Sequence, residues 1–373
     1  MRQKPKILIV GSGIVGASIA LSCINLGAEV VVLEQDKLGG AASSKSFGWI
    51  NASFAESPAY FELRNAAVEA FRNLKSEVDL NDSVRWQGTL WWEDSGAELN
   101  KQFNDLVGRG YAAKLLNNSE IKSLEPYLKD APEEAILTHL EGAAEADRVA
   151  LAMLRKLSDK GGKVISGCSV TGLKFKKGHV SSVHTNVGEI SCDMVAIATG
   201  TAAQNGLDGF DWKLPMNNKK GLIVQTCPVP DIINHVLMTN DVHFKQNVDG
   251  TLTAGEIFSG NLDKGVVALD LASDVLLRIA KKLHLTANLN PKNIQIGTRP
   301  VPIDGFPVVG NIMGETGVFV AVMHSGVTLA PLIGQLLASE MFQISESALL
   351  KSFRISHKWL HQKVDRYLWS QLE

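Results

Sequence analysis

The sequence lacks several features that would assign it to a well-known structural class. Its four cysteines, Cys23, Cys168, Cys192 and Cys227, form no C-x-x-C pair. This excludes a dithiol reductase of the adjacent-cysteine kind and fits a reducing compartment. No apolar run reaches the ~18 residues that would span a bilayer, and glycines interrupt the early apolar segment where a signal peptide would be continuous. These absences predict a cytoplasmic protein with no transmembrane segment.

A strong excess of one charge and internal repeats are also missing. Lysine and arginine number 37 against 39 aspartates and glutamates, so the net charge is only −2. This balance leaves no basic surface in bulk and argues against extended nucleic-acid binding. No repeat of about 20 to 50 residues is evident, and 373 residues are enough for two domains.

The dominant feature is a strand–turn–helix–strand pattern near the N-terminus. Residues 7–10 form a continuous apolar run, typical of a strand buried on both faces of a parallel sheet. Residues 29–33 predict the second strand, which ends at Glu34 and is followed by Gln35. A carboxylate at that point accepts hydrogen bonds from both hydroxyls of a ribose and repels a 2′-phosphate, which argues against NADP.

The turn between these strands carries Gly11, Gly13 and Gly16 in the G-x-G-x-x-G spacing. The first glycine allows a tight turn, the second lets the backbone approach a pyrophosphate, and the third lets the following helix pack closely on the strand. That helix directs its N-terminus, with Ile14 and Val15, at the phosphates. The alternative, a glycine-rich turn with no ligand, leaves the spacing and the terminal acid unexplained.

Two further stretches predict backbone that lies close to a ligand. Residues 39–51 are too polar for a core and too rich in glycine for a plain helix, although a flexible loop is the alternative. A buried strand over about residues 193–198 runs into a Thr-Gly pair, a second point at which backbone could meet the dinucleotide. The residues predicted to contact it in these stretches are Ala42, Ser43, Ser44, Lys45, Trp49, Asn51, Ala198, Thr199 and Gly200.

The middle of the chain has a different character, with alternating patterns that predict antiparallel strands. Examples are residues 221–226, 242–246 and 251–255, the last two joined by a plausible hairpin turn at 247–250. The chain then returns to βα character. A strand at about 318–323 leads into a helix through His324, Ser325, Gly326, Val327 and Thr328.

Together with the N-terminal fingerprint, two C-terminal motifs carry a family resemblance. They are TRPVPIDGFPVVGN at 298–311 and VFVAVMHSGVTLAPLIGQLLA at 318–338. The sequence resembles the FAD-dependent D-amino-acid oxidase superfamily over nearly its whole length, most of all glycine oxidase, sarcosine oxidase and the small amino-acid dehydrogenases. SLEPYL at 123–128 agrees with this resemblance.

Because nucleotide motifs lie at both chain ends with antiparallel patterns between them, we expect an α/β protein with two domains. The first is a discontinuous Rossmann-like FAD-binding domain, and the second is an α+β substrate domain around an antiparallel sheet. The predicted bounds are 1–84, 142–210 and 291–373 for the FAD-binding domain, and 85–141 and 211–290 for the substrate domain.

The resemblance also implies roles for individual residues. Ser43, Ser44 and Lys45 would lie near the phosphates and the flavin, and Val170 beside the adenine. The three turn glycines would face the pyrophosphate and the acid after the second strand would face the ribose. The helix entered at 324–328 would direct its N-terminus at the flavin pyrimidine, where its dipole stabilises the negative charge of the reduced ring.

On the substrate side, Arg299 occupies the Arg-Pro position that holds the substrate carboxylate in glycine oxidase, a task suited to a planar guanidinium. A loop-bracing arginine is the alternative. His324 is a catalytic candidate, although a packed histidine is the more common case. His243 and Lys245, with Phe244 between them, lie on the strand that faces the substrate in relatives, so both are also catalytic candidates.

Departures from the family limit what is carried over. None of the four cysteines lies in the Arg-Pro region where sarcosine oxidases bind flavin covalently, and no histidine lies in 41–47. We therefore expect noncovalent FAD. Thr253 replaces the oxygen-activating lysine of sarcosine oxidases, which leaves the electron acceptor open. His357 and His361 have no third ligand nearby in the sequence and predict no metal site.

There is no second G-x-G-x-x-G motif for NAD(P)H, so the substrate itself is the expected reductant. We expect oxidation of the C–N bond of a small amino acid or N-substituted amino acid, with hydride transfer to flavin N5 and hydrolysis of the imine. Oxygen or another acceptor would take the electrons, and a homo-oligomer is compatible with the sequence. The alternatives are an NAD-dependent dehydrogenase, an FAD-dependent enzyme that removes a carboxymethyl group from tRNA uridine, and a non-catalytic or electron-transferring subunit of a multi-subunit amine dehydrogenase.

Overall fold

The computed structural model describes residues 4–209, 212–217, 219–257, 265–285, 288–312 and 317–355. His357 and His361 lie outside these ranges. The helices are α1 (Ile14–Asn25), α2 (Pro58–Leu74), α3 (Gly96–Gly108), α4 (Asn118–Leu124), α5 (Ala146–Asp159), α6 (Gly265–Lys282) and α7 (Gly326–Met341).

The strands fall into two large sheets and two small ones. They are β1 (Lys6–Val10), β2 (Glu29–Glu34), β3 (Trp49–Ile50), β4 (Val84–Arg85), β5 (Thr89–Trp92), β6 (Ala113–Asn117), β7 (Glu134–Thr138), β8 (Gly142–Ala144), β9 (Lys163–Ser166), β10 (Val170–Lys176), β11 (His179–Thr185), β12 (Gly188–Ser191), β13 (Met194–Ile197), β14 (Lys219–Thr226), β15 (Val236–Thr239), β16 (His243–Gln246), β17 (Leu252–Ile257), β18 (Pro291–Arg299), β19 (Val308–Asn311) and β20 (Val318–Val322).

The first large sheet joins strands from both ends of the chain in the order β19-β20-β13-β1-β2-β9. All neighbours are parallel except the edge strand β19, which runs antiparallel to β20. Its central strands are apolar on both faces because helices and other segments cover both sides; Ile7, Leu8 and Ile9 are fully buried. This sheet with its helices is the Rossmann-like part that the sequence predicts.

The glycine turn after β1 holds α1 tightly against the sheet. A Cβ atom on Gly16 would lie 2.0 Å from the carbonyl oxygen of Gly11, so no larger residue fits at that point. Gly11 itself adopts a φ of 105°, a backbone conformation that is unfavourable for any residue except glycine. The two glycines bring the N-terminus of α1 directly to the carboxyl end of β1.

The second large sheet has eight strands in the order β18-β14-β17-β16-β15-β5-β7-β6. All pairs are antiparallel except β15 with β5, which are parallel. The predicted hairpin is present, since the Gly250 amide donates to the Asn247 carbonyl at 3.0 Å between β16 and β17. Helices α4 and α6 pack against one face of this sheet through a separate apolar core. The expected α/β fold class, with a Rossmann-like sheet and additional antiparallel sheet, is confirmed.

One segment differs from the predicted division of the chain. Residues 291–299 were assigned by sequence to the FAD-binding part, but as β18 they pair with β14 in the eight-stranded sheet. The apolar and polar residues of this strand alternate, which suits a sheet with one covered face. The end of β18 therefore reaches from the second sheet toward the first.

Helix α2 links the two parts and carries one side chain that matters for the site. The Ser57 hydroxyl caps the helix by accepting from the Tyr60 amide at 3.2 Å, and Pro58 occupies its first turn. Tyr60, Arg64 and Val68, spaced four residues apart, are all buried, so this face of the helix lies against the protein interior. Within the described residues, none of the helices combines the length and the apolar character that crossing a membrane requires.

Candidate active site

A cavity of about 1000 Å³ separates the two large sheets. On one side it is lined by residues at the carboxyl ends of β1, β2, β13 and β20, and on the other by residues of β14 to β18. Ligands of open α/β sheets bind at the carboxyl ends of the strands, so this is the expected place for a dinucleotide. The volume is at the upper end of the range for ligand pockets.

One end of the cavity is formed by the glycine turn and the N-terminus of α1. Gly13 is the residue before the helix, and the first turn of α1 contains no acidic side chain that would compete with an anion. The Ser43 hydroxyl oxygen lies 3.2 Å from the Ile14 amide nitrogen, which donates to it. Backbone donors and a hydroxyl therefore line this end of the cavity.

Glu34 is held in a defined orientation at the end of β2. It is 8% exposed, and its Oε2 accepts from the Ser12 amide at 2.8 Å and from the Ser12 hydroxyl at 2.7 Å. Its Oε1 accepts from the Asp36 amide at 2.9 Å. Val170 and Trp212 line the cavity in addition to Glu34. The hydrogen bonds from Ser12 and Asp36 leave lone pairs of the Glu34 carboxylate that can accept from ligand hydroxyls.

The segment around β3 is tied to α7 by one hydroxyl group. Thr328 Oγ1 accepts from the Asn51 amide at 3.2 Å and donates to the Trp49 carbonyl at 3.3 Å. The Trp49 indole donates from Nε1 to the Thr89 hydroxyl at 2.8 Å, which connects β3 to the eight-stranded sheet. The loop over residues 39–51 is thus fixed on both sides where it borders the cavity.

Arg299 ends β18 with its guanidinium over Gly221 of β14. A Cβ on Gly221 would lie 3.2 Å from both Nε and Nη2 of Arg299, so the absence of a side chain makes room for the guanidinium. Burial lowers the pKa of Arg299 from its ordinary value, yet it remains a cation at neutral pH. None of the carboxylates in the described residues lies within 4.0 Å of it. A half-buried guanidinium with no carboxylate within that distance is suited to an anionic ligand.

His324 lies just before α7 and lines the same cavity. Desolvation by the surrounding protein, together with the nearby cations Arg299, Arg64 and Lys219, lowers the pKa of His324 to about 4, although the side chain is open to the cavity. The imidazole is therefore neutral at physiological pH. It can accept or donate a hydrogen bond there without adding charge to the cavity.

The three residues of β16 that the sequence analysis named do not all border the cavity. His243 lines the cavity, and its Nε2 lies 2.8 Å from Glu93 Oε1. Phe244 is fully buried in the core on the other face of the sheet. Lys245 does not border the cavity; it is 3% exposed, its Nζ lies 5.8 Å from the centre of the Phe47 ring, and burial lowers its pKa to about 8.

All but two of the predicted site residues border the cavity. Gly16 packs under the turn, and Lys245 lies behind Phe47. The predicted residues that line the cavity are Gly11, Gly13, Ile14, Val15, Glu34, Gln35, Ala42, Ser43, Ser44, Lys45, Trp49, Asn51, Val170, Ala198, Thr199, Gly200, His243, Arg299, His324, Ser325, Gly326, Val327 and Thr328. No group of three or more His, Cys, Asp and Glu side chains suited to a metal is present among the described residues.

A comparison with models of protein families matches residues 6–340 to the DAO family of FAD dependent oxidoreductases. The chain belongs to this family. The resemblance found in the sequence is thereby confirmed, and the protein is an FAD-dependent oxidoreductase. FAD as the cofactor contradicts the NAD-dependent alternative.

Individual relatives within the DAO family are distant. The chain is 25% identical over 370 residues to glycine oxidase of Geobacillus kaustophilus, covering 93% of this chain and 95% of that protein. It is 24% identical over 268 residues to sarcosine oxidase subunit beta of Rhodobacter capsulatus, covering 68% of this chain and 64% of that protein. The structure of glycine oxidase from Bacillus cereus superposes with a TM-score of 0.80 at 18% identity, covering 97% of this chain and all of that one (100%).

The cavity fits FAD in its shape and in its donors. It runs from the open N-terminus of α1 to the N-terminus of α7, two places where helix dipoles favour negative charge. The backbone of the glycine turn reaches the cavity without side chains in the way. A long, partly anionic dinucleotide with an electron-accepting ring matches this arrangement.

Sequence reasoning missed several residues that line the cavity, among them Arg64, Glu93 and Trp212. Arg64 could have been found, because it is a charge on the buried face of an amphipathic helix, four residues from Tyr60 and from Val68. Glu93 and Trp212 carry no such signal, since their approach to the cavity depends on how distant segments pack.

Proposed function

We propose that this enzyme oxidises the carbon–nitrogen bond of a small amino acid or N-substituted amino acid in the cytoplasm, with noncovalently bound FAD. The observation that carries the proposal is Arg299, a half-buried guanidinium with no carboxylate of the described residues within 4.0 Å, in a cavity that also suits FAD. A substrate carboxylate supplies the missing anion. The similarity to glycine oxidase and sarcosine oxidase subunit beta supports a small amine-containing acid.

In this proposal the dinucleotide follows the length of the cavity. The glycine turn and Ser43 hold the pyrophosphate, Glu34 accepts from the adenosine ribose, and Val170 lies beside the adenine. The α7 N-terminus, entered at Gly326, faces the pyrimidine end of the flavin. Each assignment uses a group that lines the cavity and has the polarity the corresponding part of FAD requires.

The residues of this chain mainly bind and orient the substrate. When bound, FAD supplies the acceptor for the two electrons that leave the C–H bond next to nitrogen. Arg299 anchors the carboxylate, which sets the position of that C–H bond and makes the reaction a problem of positioning. His324, neutral at physiological pH, offers a hydrogen bond without repelling the ammonium group. The hydrogen of the C–H bond leaves with these two electrons as a hydride, and the nitrogen loses a proton to give an imine. Water hydrolyses the imine to an oxo acid and ammonia or an amine.

The test is substitution of Arg299. Replacing it with alanine removes a charge-assisted pair with the substrate, at a cost of roughly 2 to 5 kcal/mol, or about 30- to 4,000-fold in binding. Arg299→Lys should recover only part of the loss because an ammonium cannot form the bidentate pair. Bleaching of the flavin under anaerobic conditions measures this with glycine, D-amino acids, hydroxyproline, and N-methyl and N-carboxymethyl amines.

Three results would contradict the proposal. If Arg299→Ala keeps full activity on carboxylate substrates, the arginine braces a loop. If the variant loses FAD, its role is structural. If the wild-type enzyme prefers amines without a carboxylate, it does not act on amino acids.

A second candidate is a subunit of a larger amine dehydrogenase, catalytic or electron-transferring. It is favoured by the match to a protein named as the beta subunit of sarcosine oxidase, of which the chain covers 64%. The described part of the chain contains a complete cavity with Arg299, which favours a subunit that binds substrate itself. Copurification of a second polypeptide from the native source would support this candidate, and full activity of the isolated chain would contradict it.

A further inference from the structure

A second arginine borders the cavity and was assigned no function by the sequence. Arg64 projects from the buried face of α2, is 5% exposed, and lines the cavity that contains Arg299. Its guanidinium carbon lies 5.3 Å from the centre of the Tyr60 ring. Packing against the ring fixes the plane of the guanidinium but does not neutralise its charge.

The hydrogen bonds of Arg64 go only to neutral groups. Nε donates to the Asn51 carbonyl at 3.2 Å, Nη2 donates to the Asn51 side-chain oxygen, and Nη1 donates to the Phe54 carbonyl. These bonds use three of the five N–H groups of a guanidinium. Two donors remain, one on each terminal nitrogen, and none of the salt bridges of the described residues includes Arg64.

The acids that border the cavity do not supply that counter-ion. Glu93 pairs with His243, and Glu256 pairs with Arg278. Glu56 is exposed, and the buried Glu141 accepts from the Ala52 and Ser53 amides and from the Tyr111 hydroxyl. No carboxylate of the described residues lies within 4.0 Å of Arg64. A buried cation is costly unless an anion accompanies it, so an anion from outside the described part of the chain is expected beside Arg64.

Arg64 and Arg299 act on the same part of the cavity. Both cations contribute to holding His324 neutral, after burial, which is the largest cause of its lowered pKa. They come from different elements, Arg299 from the eight-stranded sheet and Arg64 from α2, which packs against α7. Two guanidinium groups with no described carboxylate within 4.0 Å therefore line one cavity together with His324.

We propose that Arg64 binds a second carboxylate of the substrate, so that the substrate class is amino or imino acids with two carboxylates. Arg299 holds one carboxylate and Arg64 holds the other. The inference rests on the proposed function and narrows it. Loop bracing accounts for the three neutral hydrogen bonds of Arg64, but it needs no buried charge and leaves the two remaining donors unused.

The test compares two N-substituted glycines that differ by one carboxylate. Iminodiacetate carries two carboxylates and sarcosine carries one, and kcat/KM for each is measured with the FAD-loaded wild-type enzyme. We expect a preference for iminodiacetate of about 30-fold or more, the loss typical of removing one partner of a buried charge pair. Equal values, or a preference for sarcosine, would overturn the inference without any variant.

Variants then assign the preference to Arg64. Arg64→Gln should reduce kcat/KM for iminodiacetate by about 30-fold or more while changing that for sarcosine much less, and Arg64→Lys should fall between. An equal loss with both substrates would identify a loop brace and contradict the inference. Arg72→Gln is the matched control, because Arg72 lies on the same helix, donates to the Leu140 carbonyl and stacks on Trp86 away from the cavity.

A binding measurement gives a readout that does not depend on turnover. Glutarate and butyrate, which are not oxidised, are titrated into the enzyme while the flavin absorbance is followed. Tighter binding of glutarate by the wild type, lost in Arg64→Gln, supports the inference, and equal binding contradicts it. If neither sarcosine, iminodiacetate nor any other amino acid reduces the flavin, the proposed function itself fails. Reduction by sarcosine without a dicarboxylate preference refutes only the role of Arg64.

Discussion

Gly221 sets the position of Arg299 because it has no side chain. In Gly221→Ala, the new Cβ would lie 3.2 Å from Nε and Nη2 of Arg299 and displace the guanidinium by a few tenths of an ångström or more. We expect substrates with a carboxylate to bind about 10- to 100-fold more weakly, as for a misplaced binding group. Steady-state kinetics checks this: KM for these substrates should rise more than kcat falls, and the FAD content should be unchanged.

Gly108→Ala is the control for that substitution. Gly108 lies in α3, and a Cβ there would meet nothing within 4 Å. Alanine favours a helix over glycine, so this variant should keep its activity and be slightly more stable. Unchanged substrate binding in Gly221→Ala would mean that Arg299 adapts freely, which would weaken its assignment as a positioned anchor.

Lys245 is predicted to make the protein less stable at neutral pH than at pH 10. Burial lowers its pKa in the folded protein from 10.5 to about 8, so between these values the unfolded chain binds more protons. Stability therefore rises with pH across that window. Lys245→Met should be more stable than the wild type at pH 7, by about 3 kcal/mol for the full shift, and should lose this pH dependence. Urea unfolding at several pH values with excess FAD measures it.

An exposed lysine provides the comparison for that experiment. Lys176 on β10 is exposed, so Lys176→Met should change stability by less than about 0.5 kcal/mol at any of these pH values. The same Lys245→Met enzyme tests the predicted catalytic role of this lysine, because unchanged kcat would exclude it. A stability curve for Lys245→Met that parallels the wild type would show that the amine is not desolvated in the folded protein.

Individual residues were predictable from sequence where their spacing is local. The three glycines and the acid after β2 fall within one βαβ unit, so their order alone indicates their place in the turn. Lys245 and Phe244 could not be assigned to opposite faces, because the register of a strand depends on its partners. The amphipathic pattern of α2 marks Arg64 as a charge on a buried face, but its contact with Asn51 joins two segments that no local pattern connects.

Among the elements, β3 and α7 depend on one another through Thr328. Thr328→Val would leave the Asn51 amide without its acceptor in a place where Thr328 is 1% exposed and Asn51 is 4% exposed. A buried, unsatisfied donor costs about 1 to 3 kcal/mol. We expect lower stability in urea and faster loss of FAD on dilution, because both elements border the cavity.

Thr328→Ser keeps the hydroxyl and separates its effect from that of side-chain volume. This variant should retain most of the stability and the FAD affinity that Thr328→Val loses. If valine is tolerated as well as serine, the hydroxyl link is not important for joining β3 to α7. Fluorescence of the released flavin gives the dissociation rate directly.

Whether a segment forms a helix or a strand could mostly be predicted from its periodicity, whereas the strands with which it pairs could not. The alternating strands and the hairpin between β16 and β17 were predicted with bounds close to those observed. The residues of β18 adjoin the C-terminal motif in sequence and were included in the predicted FAD-binding domain, while the hydrogen bonds of this strand go to β14. Pairing between strands that are distant along the chain carries no local signal.

At the scale of the whole molecule, the motifs at both ends of the chain indicate that segments of the two parts alternate along the sequence. Parallel strands need crossover connections, and here β1 and β13 are adjacent although about half of the chain's elements lie between them. The sequence could predict this discontinuity because each end carries half of a recognisable nucleotide site. The bounds of the two domains remain a prediction.

The last prediction concerns the cofactor and the whole protein. Within the described residues, the cavity lining includes one cysteine, Cys168, and two histidines, His243 and His324. Cys168 adjoins Glu34, to whose carbonyl its amide donates at 2.8 Å, and His243 is paired with Glu93. We therefore expect acid precipitation to release all of the flavin into a yellow supernatant.

Adding FAD to the stripped protein at a hundredfold excess over its Kd should raise the free energy of unfolding by about 2.7 kcal/mol, whereas AMP should give only part of this increase. Colour that stays in the pellet would contradict noncovalent binding. If the pellet of His324→Ala were then colourless, the covalent bond to the flavin would be at His324.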